Sequence, residues 1–62
     1  MGQEEEKYIV YTAMERFGGS FVQALGKALM MADVNNVLRI KNAFPEYWKK
    51  YLEIGLKMEE RK

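Results

Sequence analysis

Apolar and polar positions in this chain recur with helical spacing over most of its length. In residues 45–60, Tyr47, Tyr51, Ile54 and Met58 follow one another at i, i+4, i+7 and i+11, flanked by Trp48, Leu52 and Gly55. Glu46, Lys50, Glu53, Lys57 and Glu60 form the opposite stripe, with Glu46–Lys50 and Glu53–Lys57 in the favourable order for i,i+4 pairs. Residues 34–43 line up Val37 and Ile40, continued by Phe44, against Asn35, Arg39 and Asn42 on the other side. Residues 21–32 are apolar around most of the circumference and leave Gln23 and Lys27 as a narrow polar stripe. A helix of that kind is expected at the centre of a bundle, packed by the tyrosine–tryptophan face of the last helix. Residues 4–17 are ambiguous. Val10, Ala13, Met14 and Phe17 fit one helical face, yet Tyr8-Ile9-Val10-Tyr11-Thr12 is a run of β-formers. A strand paired across a homodimer therefore stands as the alternative to a helix there.

Three turn signals punctuate these segments. Phe17-Gly18-Gly19-Ser20 joins two glycines, which tolerate positive φ and end a helix, to a serine N-cap. Gln23 stands three residues after Ser20, the spacing of a capping box, and predicts a helix starting at Phe21. Asp33 is placed to cap the next segment. Phe44-Pro45 predicts a break followed by a helix with proline as its first residue. The expected fold is all-α: a single small domain over residues 1–62, with three to four short helices at about 4–17, 21–32, 34–43 and 45–60 and frayed ends at 1–3 and 61–62. The expected core is Val10, Met14, Phe17, Phe21, Leu25, Leu29, Val37, Ile40, Phe44, Trp48, Tyr51 and Leu52. A domain of this size buries only about 60% of the surface its unfolded chain exposes. Completion of the core by a second copy, as a homodimer or higher homo-oligomer, is expected.

Composition narrows the chemistry sharply. The 62 residues contain no cysteine and no histidine, which excludes disulfides, thiolate metal sites, a cysteine nucleophile and the commonest general base. The carboxylates Glu46, Glu53 and Glu60 alternate with lysines on a solvent stripe, where pKa values stay ordinary. No enzyme activity, cofactor or metal is expected. Gly18-Gly19-Ser20 before a helix resembles a phosphate cradle, but the Lys-Ser/Thr of a P-loop does not follow. The start, Met1-Gly2-Gln3-Glu4-Glu5-Glu6, is acidic, and the longest apolar run spans five residues, 28–32, so a soluble cytoplasmic protein without a membrane span is expected.

Ten basic and nine acidic residues give a net charge of +1, too balanced for a phosphate-driven nucleic-acid domain. Seven of those basic residues lie in 34–62, so Arg39, Lys41, Lys49 and Lys50 remain candidate nucleic-acid contacts, with Asn35, Asn36 and Asn42 as polar readers beside Arg39. The stronger candidates are partner-protein contacts: Asn35, Asn36, Arg39 and Asn42, with Met30 and Met31 as adaptable apolar anchors. Asparagine is a poor helix former, so three within ten residues need a reason. Asn35 and Asn36 are accounted for if they assist the cap behind Asp33; Arg39 and Asn42 lie too deep in the helix for that.

Ser20-Phe21-Val22-Gln23-Ala24-Leu25, Ala32-Asp33, Asn36, Ile40 and Ala43-Phe44-Pro45-Glu46-Tyr47-Trp48 with Tyr51 together resemble short uncharacterised helical proteins of phages and prophages. Their pattern runs approximately GGSFVxALxxA, AD, N, then AFPxYWxxY, over residues 18–51 here. The resemblance brings no activity to any residue. It implies a context, a mobile-element accessory product in the cytoplasm of a bacterial host. It also implies a class of partner, a host or phage protein, with host defence factors among the candidates.

Overall fold

The computed structural model describes residues 3–60 and contains four helices: α1 (Gln3–Phe17), α2 (Ser20–Met31), α3 (Val34–Ala43) and α4 (Pro45–Glu60). The fold is all-α, and the β-forming run 8–12 is helical. Of the expected frayed ends, residues 1, 2, 61 and 62 lie outside the described residues, and α1 already begins at Gln3.

Tertiary packing explains why α1 is a helix despite its β-formers. Helical geometry sends Ile9, Val10, Ala13 and Met14 inward to full burial and leaves Tyr8 and Thr12 outside. A strand would have split Ile9 and Val10 between two faces with no second strand to pair. The central helix is α1, which packs against both α2 and α4; α3 touches α2 and α4 more lightly. This corrects the expected placement of α2 at the centre. Its inner face is the narrow line Val22, Gly26 and Leu29, and Phe21, Met30 and Met31 stay exposed.

Two glycines set these approaches. A Cβ on Gly26 would stand 2.9 Å from the Met14 Cβ and 3.1 Å from the Tyr11 carbonyl oxygen. A Cβ on Gly55 would press into the Ile9 side chain and stand 3.0 Å from the Ile9 carbonyl oxygen. The core is Ile9, Val10, Ala13, Met14, Val22, Leu29, Val37, Trp48 and Tyr51. Leu25, Ile40, Phe44 and Leu52 are half-buried, while Phe17 and Phe21, also expected inside, are 49% and 58% exposed. Both sit beside the α1–α2 turn, at the rim of the contact.

That turn is built differently from the expected one. Neither glycine has positive φ. Gly18 is needed for closeness, because a Cβ there would collide with Val22 and stand 2.6 Å from the Met14 carbonyl oxygen. The N-cap of α2 is Gly19, whose carbonyl accepts from the Gln23 amide at 2.8 Å, and no side-chain cap forms. Ser20 is already helical, so the Ser20–Gln23 capping box is absent. The other two signals hold: the Asp33 carboxylate accepts from the Asn36 amide at 2.8 Å, and Pro45 is the first residue of α4.

Candidate functional site

The outer face of α3 follows directly from its register. Val37 points inward, and Asn35, Arg39 and Asn42 occupy the far side of the helix. Asn35, Asn36, Arg39 and Asn42 are all exposed. At the cap the Asp33 carboxylate takes the Asn36 backbone N–H, and neither the Asn35 nor the Asn36 side-chain amide takes part. Asn36 thus takes part in the cap through its backbone, as a position behind Asp33 should. Val34 and Leu38, one turn apart beside this polar row, are 61% and 42% exposed. Met31, the last residue of α2, is 80% exposed and Met30 is 42% exposed. Four of the large exposed apolar side chains thus come from the α2–α3 corner and the first turns of α3.

The alternative basic set is not assembled in the same way. Lys41 donates to Glu6 Oε1 at 3.1 Å and lies 5.3 Å from the centre of the Trp48 ring. Lys50 lies over the Tyr51 ring at 5.5 Å, while Arg39 and Lys49 are exposed. A shallow recess does gather Lys41, Asn42 and Lys49, but Glu6 lines it as well. Lys41 is already neutralised there, which weakens the group as a phosphate track. Glu46–Lys50 and Glu53–Lys57 do not close into ion pairs; among the described residues the ion pair is Glu6–Lys41.

Glu6 is the polar centre that sequence spacing did not reveal. The Trp48 indole N–H donates to its Oε1 at 2.6 Å, and this bond holds the carboxyl below its usual pKa. Burial opposes that shift, and the Lys41 ammonium adds to it. Next to it, Lys7 donates to the Ala32 carbonyl at 2.8 Å, placing a cation at the negative end of α2. These bonds span 25 to 42 residues of chain, so no local motif announces them.

The aromatic residues divide in two. Trp48 and Tyr51 are buried, whereas Phe44 and Tyr47 are half-buried and join the exposed Phe21. Ring centres are 5.9 Å apart for Phe21–Phe44, 6.2 Å for Phe21–Tyr47 and 6.0 Å for Phe44–Tyr47. Among the described residues no three carboxylates gather where a metal would be held, and no helix is long and apolar enough to cross a membrane. No protein-family model, curated protein or solved structure matches the chain.

Proposed function

We propose that this chain is a non-enzymatic interaction protein that docks on a protein partner through the outer face of α3, flanked by the α2–α3 corner and the Phe44-Pro45 turn. One observation carries the reading: the exposed row Asn35, Arg39 and Asn42 runs beside exposed Val34 and Leu38. The solvated face of α4 uses Glu and Lys instead, along Glu46, Lys50, Glu53 and Lys57. Interfaces are depleted in those two residues and favour arginine, aromatic rings and methionine. The resemblance to phage and prophage proteins supplies the setting: a host or phage protein as partner in a bacterial cytoplasm.

Replacing Arg39→Glu and Asn42→Lys together tests this. Both sites are exposed, so the helical circular-dichroism spectrum and thermal midpoint are expected to stay unchanged. Affinity capture from nuclease-treated bacterial lysate is expected to fall about tenfold or more, as for loss of an interface hot spot. Capture unchanged in a folded variant overturns the docking face. Capture that instead appears only when nuclease is omitted, collapses between low and moderate salt, and is abolished by Lys49→Glu with Lys50→Glu, identifies a nucleic-acid regulator.

A further inference from the structure

We propose that Phe21, Phe44, Tyr47 and Glu46 form a receptor for an arginine side chain presented by the protein partner. The inference rests on the protein-docking reading and names the group that the partner would insert.

The three rings meet at the surface where the start of α2 faces the α3–α4 turn. Phe21 and Phe44 are inclined by 64°, Phe21 and Tyr47 by 51°, and Phe44 and Tyr47 stack at 26°. The concavity beside them is lined by Phe21, Ala43, Phe44, Pro45, Glu46 and Tyr47. Among the described residues its charged lining is the Glu46 carboxylate, with no lysine or arginine beside it. Aromatic faces attract cations through the ring quadrupole. This chain already uses that attraction elsewhere. Arg16 lies 5.9 Å from the Phe17 centroid, Lys41 lies 5.3 Å from Trp48, and Lys50 lies 5.5 Å from Tyr51. The Phe21–Phe44–Tyr47 group has rings of the same kind, a carboxylate at its edge and, among the described residues, no lysine or arginine placed over a ring.

Arginine matches both features. Its planar guanidinium stacks on aromatic rings and pairs with a carboxylate through two parallel N–H donors, which an ammonium cannot do. Glu46 also lies in the first turn of α4, where its charge complements the positive end of the helix. Phe21 makes little contribution to the core at 58% exposure, which leaves its ring available to a ligand.

The experiment is an NMR titration of the full-length labelled chain with N-acetylarginine amide, against the neutral isostere N-acetylcitrulline amide. The arginine probe is expected to shift the Phe21, Phe44 and Tyr47 ring signals saturably, with citrulline about fivefold weaker or worse. Phe21→Leu keeps an apolar side chain but removes a π-face, and Glu46→Gln removes the charge. Each is expected to weaken the arginine probe about threefold or more with the fold intact. Equal response to both probes, no saturable shift, or indifference to both variants overturns the proposal. The readout does not involve partner capture. Discrimination between the probes with capture unaffected by Arg39→Glu/Asn42→Lys overturns the α3 docking face alone, whereas the reverse pattern overturns the arginine receptor alone.

Discussion

A single oxygen of Glu6 accepts from both Trp48 and Lys41, so one carboxylate ties α1 to α4 and to α3. Hydrogen bonds to a charged group contribute about 1.5–3 kcal/mol, and leaving a buried donor unpaired costs a similar amount. Glu6→Gln keeps an acceptor but loses the charge, so a loss of about 1–2 kcal/mol at neutral pH is expected in urea unfolding. The pH dependence has a definite sign. The carboxyl's pKa in the folded chain is lowered, first by the Trp48 bond and then by Lys41, against the cost of burial. Its stabilisation is therefore fully present above the ordinary glutamate range and is lost as pH falls through the lower, folded value. The gap in thermal midpoint between wild type and Glu6→Gln should shrink steadily below about pH 4.3. A gap that stays constant to pH 2.5 would show that the charge contributes nothing.

At the scale of the helices, the glycines make the sharpest expectation. Gly55→Ala forces a methyl group against Ile9, and Gly26→Ala forces one against Met14. Overpacking of this kind costs about 1–3 kcal/mol, to be read as a lower urea midpoint with an unchanged slope. Gly19 is the contrasting case, since a Cβ there meets nothing within 4 Å. As the N-cap of α2 without a side-chain bond, it is expected to gain a few tenths of a kcal/mol or more from Gly19→Asp. These two behaviours also mark what the amino-acid sequence could convey. Asp33 and Pro45 act through their own backbone neighbourhood, so the ends of α3 and α4 were readable. Ser20–Gln23 had the right spacing, but the helix begins one residue early and the cap falls to Gly19. The order of burial was not readable. An apolar position on a wheel carries no mark of whether a neighbour will reach it, so α2 looked central. The close approaches at Gly26 and Gly55 made α1 the centre instead.

At the scale of the whole molecule, the exposed large apolar side chains among the described residues include Tyr8, Phe17, Phe21, Met30, Met31, Val34 and Leu38. Their number in a chain of 62 residues supports self-association, which we propose as a two-fold dimer. Sedimentation equilibrium at micromolar concentration should give twice the 7.3 kDa chain mass, and a stable monomer would refute it. The candidate site was partly legible at this scale. The exposed polar row on α3 follows from helical period alone. The Phe21–Phe44–Tyr47 group does not, because it joins residues from opposite sides of a turn and from two helices far apart in sequence.

The central position of α1 also bears on how the chain is made. The surfaces that cover it are supplied later: Val22 to Leu29 from α2, then Trp48 to Gly55 from α4. At a translation rate of about 5–20 residues per second, Gly55 is added to the chain roughly 2–9 s after Ile9. Until α4 arrives, Ile9 in the β-forming segment Tyr8-Ile9-Val10-Tyr11-Thr12 lacks the surface that covers it in the fold, and pairing with the same segment of a neighbouring chain competes with the helix. The helix that organises the finished fold is thus also the stretch most in need of shelter during synthesis, and slowing translation between α2 and α4 should raise the aggregated fraction.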